Sequence, residues 1–411
     1  MDSLLRAHAN QIVADAIAAV LPDAAVQRAL AGRIYPGRVI LVAVGKAAWQ
    51  MTKAAYDTLG SRIDSGVVIT KYGHVGGQIS NLLCLEAGHP VPDENTFSAT
   101  ETALNMISEL TEKDTVLFLL SGGGSALFEK PLISGEELQS ITNQLLACGA
   151  DIVEINTIRK RLSAVKGGKF AQLCAPAKIE SVVLSDIPGD PLDMIASGPA
   201  CPDSSTCEQA IAVARKYRLE MSDAAKALLS VETPKALDNV TTQITGSVRQ
   251  LCLAAAASCR KLGYEPVVLT DQLCCQAKEA GSFLSSILKT HDRCGKKLAF
   301  IAGGETVVLL TGNGKGGRNQ ELALAAAEGI RGISGAAVFS IGSDGTDGPT
   351  DAAGGYVDHE TAGLLAKQNI SIYTTLQKND AYHALKAVDG LIFTGPTGTN
   401  VNDVAVALLN Q

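Results

Sequence analysis

The sequence predicts an α/β protein with two domains. Short runs of β-branched and other apolar residues alternate with alanine-rich segments of helical period along most of the 411 residues. This alternation is typical of a parallel or mostly parallel sheet covered by helices. The length allows two domains that each bury a core, and 46% apolar against 19% charged residues indicates a well-packed globular chain.

Nine segments have the composition of strands. They are RVILVAV (38–44), GVVIT (66–70), TVLFLL (115–120), SVVLS (181–185), PVVLT (266–270), LAFIA (298–302), TVVLL (306–310), AAVFSI (336–341) and LIF (391–393). The stretch VETPKALDNVTTQ (231–243) follows a helical region and has the proline and polar content of a connection. We therefore place a domain boundary near residue 240.

Charge and composition exclude several classes of protein. The formal net charge is −7 without a dense Lys/Arg run, which argues against nucleic acid or an anionic membrane as the partner. The first 22 residues predict an amphipathic helix rather than a leader, and no eighteen apolar residues run together, so we expect a soluble, cytoplasmic protein. Ten cysteines without C-x-x-C indicate reduced thiols, and six histidines without H-x-x-x-H do not predict zinc.

Polar residues follow three predicted strands of the first half, where an open α/β sheet binds its ligand. Lys46 follows 38–44 at the start of a predicted helix, where the potential favours an anion. SGGGS (121–125) could surround an anion with N–H groups and hydroxyls. Asp186 stands in a proline-containing loop and suits a base or a magnesium ligand. The alternatives are a solvated lysine, a tight turn and an Asx turn or helix cap.

A cationic segment lies between these loops. Residues 156–170 contain five cations around a short predicted helix: Arg159, Lys160, Arg161, Lys166 and Lys169. Such charges usually form a solvated face, and that is the expectation here. Gly167 and Gly168 interrupt the helical pattern, for which a purely structural helix has little reason.

Acidic residues follow two strands of the second half. Glu305 comes after 298–302, and the loop after 336–341 contains Asp344, Asp347 and Asp351. Three aspartates so close together cannot all be buried without a partner, so they need solvent, a metal ion or a cation.

The segment GNGKGGRNQE (312–321) matches G-x-G-x-x-G between a predicted strand and a predicted helix, as a dinucleotide loop does. However, Lys315, Arg318 and Asn319 stand where small apolar residues are expected, and no acidic residue follows at the usual distance. Two cations and two amides at a helix start suit a small carboxylate or a transferring phosphoryl group. The residues alone thus favour a kinase of a small anionic metabolite over a dehydrogenase or a non-catalytic binding protein.

Several long motifs, in one order, resemble the glycerate 2-kinases that carry a C-terminal MOFRL domain. They are VGKAAWQM, SGGGSALFEKP, NTIRKRLSAVKGGKFA, SDIPGDPLDMIASGPACPD, GGETVV, GNGKGGRNQELALA, SIGSDGTDGPTDAAGG and GPTGTNVNDV. Some members of this family are labelled hydroxypyruvate reductases. An NAD(P)H-dependent hydroxypyruvate reductase is therefore the alternative function.

The resemblance implies a Rossmann-like, three-layer N-terminal domain (1–240) and a MOFRL-containing α/β domain (241–411), with the active site in the cleft between them. It implies a phosphotransferase that uses ATP and Mg²⁺ to phosphorylate the alcohol group of D-glycerate, giving 2-phosphoglycerate. The expected partners are these small molecules, without nucleic acid or membrane, and with a homo-oligomer allowed for.

The resemblance also assigns roles to residues of this sequence. Lys46, Arg318 and Asp186 match the catalytic residues. Glu305 and Asp186 are the expected metal ligands. Substrate or phosphate binding is expected from Ser121, Gly122, Gly123, Gly124, Ser125, Asn319 and Asp351.

Overall fold

The computed structural model describes residues 2–411, which form twelve strands in two sheets of six. The strands are β1 (Val39–Val44), β2 (Ser65–Lys71), β3 (Leu83–Ala87), β4 (Thr115–Leu120), β5 (Lys178–Leu184), β6 (Val240–Gly246), β7 (Glu265–Leu273), β8 (Lys297–Gly304), β9 (Ala336–Gly342), β10 (Gly354–Asp358), β11 (Leu391–Ile392) and β12 (Asp403–Asn410). The α/β fold class predicted from the sequence is confirmed.

Sixteen α-helices accompany these strands in the same described range. They are α1 (Ser3–Val20), α2 (Pro22–Leu30), α3 (Ala48–Leu59), α4 (Glu94–Met106), α5 (Gly124–Leu127), α6 (Gly135–Ala147), α7 (Ile152–Leu162), α8 (Lys169–Cys174), α9 (Cys207–Lys216), α10 (Asp223–Leu228), α11 (Val248–Lys261), α12 (Ala277–Thr290), α13 (Arg318–Gly329), α14 (Thr361–Lys367), α15 (Ile372–Gln377) and α16 (Ala381–Ala387).

The chain divides into two compact units. The first unit consists of Pro22–Ser185 and Asp190–Thr245, and the second of the segment up to Leu21, Asp186–Gly189 and Gly246–Gln411. The sequence-based domains 1–240 and 241–411 stay a prediction. The units differ from them because the N-terminal helix and the short Asp186–Gly189 segment group with the C-terminal part.

The sheet of the first unit has the order β3-β2-β1-β4-β5-β6. The strands β1 and β4 are apolar throughout and buried along their whole length, as expected for central parallel strands covered on both faces. Both pair in parallel with their neighbours, β1 with β2 and β4, and β4 also with β5. Since the chain moves outward from β1 to β3 and returns to the other side at β4, the topological switch point lies between β1 and β4.

The sheet of the second unit has the order β11-β10-β9-β12-β8-β7. The last strand, β12, lies between β8 and β9 and runs antiparallel to both. The carboxyl ends of β8 and β9 and the start of β12 therefore meet at one edge of the sheet. Apolar clusters join one face to α12 and α13 and the other to α1 and α11.

Eight of the nine predicted strands are confirmed, as β1, β2, β4, β5, β7, β8, β9 and β11. The ninth, TVVLL (306–310), is wrong. Within the described chain its residues form only an isolated bridge between Val307 and Gln276, and Leu309 and Leu310 are 59% and 79% exposed. The run follows the end of β8 at Gly304 and continues the pairing of that strand only at Val307, which exchanges backbone hydrogen bonds with Cys275 and Ala277.

Membrane-spanning potential is limited to one pair of helices. Within residues 2–411 no single helix is long and apolar enough to cross a membrane; Ser3–Val20 and Pro22–Leu30 meet the length and composition criteria only when taken together as a bent pair.

Gly281→Ala tests the close packing of α12 on α13. A Cβ at this position would lie 2.1 Å from the carbonyl oxygen of Leu322, so we expect the free energy of unfolding to fall by about 1–3 kcal/mol because backbone atoms must move apart. Urea denaturation monitored by circular dichroism measures this change. Gly363→Ala in α14 is the matched control: nothing lies within 4 Å of its Cβ position, and the helix should gain up to about 1 kcal/mol. Equal effects at the two sites would contradict this account of the packing.

Candidate active site

Lys46 and the loop 121–125 lie side by side in the first unit. Val44 and Leu120 are partners in the β1–β4 ladder, so the residues that follow both strands emerge together. The Lys46 N–H donates to the carbonyl of Gly122 at 2.9 Å, and the Ala47 N–H donates to Ser121 Oγ at 3.0 Å. Lys46 and the SGGGS loop, two candidate sites from the sequence, thus lie together at the switch point, where open α/β sheets bind ligands.

His89 is a further neighbour of this loop that the sequence reasoning missed. Gly123 adopts φ +88°, a conformation that favours glycine, and a Cβ there would lie 3.1 Å from His89 Nε2 and 3.2 Å from Lys46 Cγ. Burial, followed by the charges of Lys46 and Lys71, lowers the pKa of His89. The imidazole therefore tends to be neutral beside the lysine. The only sequence signal was its place after the unrecognised strand β3.

Buried cations support the end of the same loop. Arg159 Nη2 and Lys166 Nζ both donate to the carbonyl of Ser125, at 2.9 and 2.8 Å. The Glu129 carboxylate, fully buried, lies 3.5 Å from Lys166 Nζ and 3.7 Å from Arg159 Nη2. Burial lowers the pKa of Lys166 to about 8. These two cations hold the loop from within the protein.

The expectation of a solvated cationic face at 156–170 is wrong. Lys160 and Arg161 are each 1% exposed, and Lys160 pairs with the buried Asp203 at 3.0 Å. Lys169 Nζ donates to three carbonyls at the end of α7. The helix turns its cations inward because each finds a carboxylate or carbonyl partner, which offsets the cost of burying charge.

Arg318, at the start of α13, is the cation of the second unit. Asp403 accepts from Arg318 Nε at 2.5 Å and from Nη2 at 3.1 Å, and Glu305 accepts from Nη1 at 2.8 Å. Burial alone would lower the pKa of Arg318, but the bond with Asp403 outweighs it and the pKa is raised. Burial also raises the pKa of Asp403 to about 6. Glu305 is the weaker partner because it makes one contact and its side chain is 47% exposed.

Asn319 lies next to Arg318 but has a structural role. Asp347, buried at 3% exposure, accepts from the backbone N–H groups of Asn319 and Gln320 at 3.1 and 2.8 Å and from the Asn319 amide at 3.2 Å. The Asn319 amide oxygen accepts from Ser340. Burial raises the pKa of Asp347, against these donors. The carboxylate caps α13 and so fixes where Arg318 emerges.

The remaining aspartates of the 344–351 loop are also accounted for. Asp344 accepts from Thr346 within its own turn, and Asp351 accepts from the Tyr382 hydroxyl at 2.7 Å. The hydrogen bond from Tyr382 lowers the pKa of Asp351. Among the described residues, neither aspartate forms an ion pair with Arg318, whose carboxylate partners are Asp403 and Glu305.

The glycines of the G-x-G-x-x-G match accommodate protein backbone. A Cβ at Gly312 or Gly314 would lie 2.5 Å from the carbonyl oxygen of Lys378, and one at Gly317 would lie 2.3 Å from the Asp347 carboxyl carbon. Because no strand precedes the motif and its glycines are needed for these contacts, the dinucleotide interpretation has no structural support.

Asp186 belongs to the second unit and is held through its backbone. Its carbonyl accepts from the Asn402 side-chain amide at 2.8 Å. Neither Asn402 nor Asp403 was singled out in the sequence. The quoted motif GPTGTNVNDV contains both, but the strand β12 that positions them was not recognised.

A cavity of about 860 Å³ opens beside Arg318, lined also by Val308, Leu310, Asp344 and Pro349. Its volume is in the range of small-molecule sites. In the described residues 2–411, no group of three or more His, Cys, Asp or Glu side chains could hold a metal ion.

Comparison with known proteins identifies the family. The MOFRL family model matches residues 298–403, and a domain of unknown function, DUF4147, matches residues 8–230. The D-glycerate 2-kinase of Thermotoga maritima is 53% identical over 98% of this chain and 98% of its own length. The chain belongs to the glycerate 2-kinase family. The resemblance predicted from the motifs is confirmed.

Two further comparisons bear on fold and function. The crystal structure of a glycerate kinase from Thermotoga maritima matches with a TM-score of 0.96 and 52% identity, over 100% of both chains. A relative from Agrobacterium vitis, 37% identical over 91% of this chain and 100% of its own length, carries the provisional name hydroxypyruvate reductase. In this chain, Lys46 and the loop 121–125 lie in the region that the DUF4147 model matches, and Arg318 lies in the region that the MOFRL model matches.

Proposed function

We propose that the protein transfers the γ-phosphoryl group of ATP to the 2-hydroxyl of D-glycerate, giving ADP and 2-phosphoglycerate. Membership of the glycerate 2-kinase family over the full chain supports this reaction. The structural observation that carries it is the placement of Lys46 and the loop 121–125 on the adjacent carboxyl ends of β1 and β4. Such a reaction depends on positioning and charge neutralisation, which this arrangement of a lysine, N–H groups and hydroxyls can supply.

Two cations have roles in this proposal. Lys46 neutralises charge that develops on the transferring phosphoryl group, beside the N–H groups and hydroxyls of 121–125. Arg318 binds the glycerate carboxylate or the γ-phosphate through Nη1, since the other two guanidinium nitrogens, Nε and Nη2, already donate to Asp403. The anion takes the place of Glu305, whose single contact and half-exposed side chain permit the exchange. Asp186 orients or deprotonates the 2-hydroxyl.

Magnesium fits the donors that are present. Kinases hold Mg²⁺ through one or two carboxylates and the phosphates of the nucleotide, so a cage of three protein ligands is not needed. The half-exposed carboxylate of Glu305 and that of Asp186 are hard oxygen donors of this kind. When bound, the ion supplies charge neutralisation at the ATP phosphates. Asn319 and Asp351, proposed from the sequence as substrate ligands, instead support the site by fixing α13 and the 344–351 loop.

The reductase alternative lacks a cofactor site at the only motif that suggested one. The glycines of 312–317 pack against Lys378 and Asp347 rather than leaving backbone open to a pyrophosphate, and the loop after β1 is Gly45-Lys46-Ala47 without G-x-G-x-x-G. A non-catalytic binding protein is disfavoured by the same family membership that supports the kinase.

One assay separates the three classes. Purified protein with D-glycerate, ATP and Mg²⁺ should give ADP and a 2-phosphate ester, resolved by ³¹P NMR, and the reaction should stop when EDTA exceeds Mg²⁺. NAD(P)H oxidation with hydroxypyruvate in the absence of ATP would favour the reductase. Saturating substrates that yield no phosphate ester would refute the kinase, and a 3-phosphate ester would correct the position of transfer.

Lys46→Ala and Arg318→Ala test the two cations. Each variant should lose about 10²-fold or more in kcat/KM, because a charge that stabilises the transition state is removed. Lys53→Ala and Arg331→Ala are matched controls, because both side chains are solvent-exposed and form ion pairs with carboxylates close to them in sequence, Asp57 and Glu328. Steady-state kinetics of these two variants should give the parent kcat/KM. If either site variant stays within a few-fold of the parent, its assigned role is wrong.

A further inference from the structure

The segment Asn402–Asp403 connects two of the residues to which the proposed mechanism assigns chemistry. The Asn402 amide donates to the carbonyl of Asp186 at 2.8 Å. The Asp403 carboxylate accepts from Arg318 Nε and Nη2. Two consecutive side chains in the second unit thus hold a candidate acid–base residue and a candidate anion-binding residue. Neither needs to touch the substrate to act in this way.

Asp403 fixes the plane of the Arg318 guanidinium. The two parallel hydrogen bonds form the bidentate geometry that gives arginine a defined orientation. Asp403 is 6% exposed and begins β12, where its backbone pairs with Gly304 of β8 and Gly342 of β9. Its position is therefore set by the central strand of the sheet, and Nη1, which donates to the half-exposed Glu305, is the one guanidinium nitrogen that Asp403 does not bind.

Asn402 fixes the backbone at Asp186. The residue is 5% exposed and adopts φ +66°, a left-handed conformation that asparagine tolerates and glycine adopts freely. Its carbonyl accepts from the Ser343 N–H at 3.0 Å, so the backbone at 402 is anchored on the neighbouring loop. The turn at 402 lets its amide point to the Asp186 carbonyl while Asp403 enters the sheet.

We propose that Asn402 and Asp403 are positioning residues for the kinase reaction, Asn402 acting through Asp186 and Asp403 through Arg318. The inference rests on the proposed function, because it concerns the same residues. The proposal goes further in one respect: the position of β12 in the sheet sets the geometry of both Asp186 and Arg318.

Asn402→Gly separates positioning from folding. Glycine accepts the same backbone conformation, so Tm should stay close to the parent value, whereas loss of the amide donor should lower kcat about 10²-fold through misplacement of Asp186. Asn369→Gly is the matched control, an exposed asparagine at φ +57° outside the site, and should keep parent kinetics. Parent kcat in Asn402→Gly would overturn the role of Asn402.

A double-mutant cycle with Arg318→Ala tests the role of Asp403, by comparing the kcat of Asp403→Asn, Arg318→Ala and the double variant. If Asp403 acts through the arginine, the double variant should be no slower than Arg318→Ala alone, because residues that act as a unit are not additive. A double variant slowed by the full factor of each single change would overturn the role of Asp403. Asp358→Asn, a buried carboxylate at the end of β10, controls for loss of stability and should keep parent kcat in its folded fraction.

A structural readout does not require turnover. Crystal structures of Asn402→Gly and Asp403→Asn should show the Asp186 carbonyl and the Arg318 guanidinium displaced from their parent positions. Unmoved groups would contradict the inference even if the parent formed no phosphoglycerate, whereas absence of that product from the parent would refute the proposed function alone.

Discussion

The parallel pairing of β1 with β4 is the constraint on which the candidate site of the first unit depends. These strands are separated by about seventy residues of sequence, yet their register aligns Val44 with Leu120 and so brings Lys46 to the glycine-rich loop. A slip of one residue would turn every side chain of β1 to the opposite face, where it would meet different buried neighbours in a close-packed interior. The same apolar burial that stabilises the sheet therefore specifies where the lysine emerges. The partly buried Arg159 and the fully buried Lys166 then both restrain the far end of the loop at Ser125.

In the second unit, an antiparallel strand brings the candidate site residues together. The last strand of the chain lies between β8 and β9, so its first residue, Asp403, stands at the edge where those strands end. Arg318 comes to the same edge because Asp347 caps the helix that it begins. The arginine is paired with two carboxylates of unequal burial. In the proposed mechanism a substrate anion replaces Glu305, the more exposed partner.

The sequence predicted most strands of both sheets because central strands buried on both faces appear as continuous β-branched runs. It failed at TVVLL (306–310), which has the same composition but pairs with a neighbouring segment only at Val307 and leaves its two leucines exposed. It missed β12, DVAVALLN, whose alanines and leucines also suit a helix. The candidate residues Lys46, Arg318 and Asp186 could be found from their motifs. Asn402, Asp403 and His89 could not, since their roles depend on which strand ends lie together.

Local chemistry was harder to predict than position. The cations of 156–170 are buried because carboxylates and carbonyls far away in the sequence surround them, as Asp203 does Lys160. The glycines of 312–317 pack closely against the backbone at Lys378 and the carboxylate of Asp347. In both cases composition indicated an unusual segment correctly, while its partner came from elsewhere in the same unit. This is why a pattern that matches a dinucleotide loop letter for letter serves a different structural purpose.

The position of one labelled oxygen atom in the product tests whether the 2-hydroxyl of D-glycerate is the group that is phosphorylated. D-glycerate labelled with ¹⁸O at the 2-hydroxyl, incubated with ATP, Mg²⁺ and the protein, should give 2-phosphoglycerate in which the label bridges C2 and phosphorus, as mass spectrometry of the fragments can show. This result is required if the 2-hydroxyl attacks the γ-phosphorus. Transfer to the 3-oxygen, with the label left in a free hydroxyl, or the absence of any phosphate ester at saturating substrates, would contradict phosphorylation at the 2-hydroxyl.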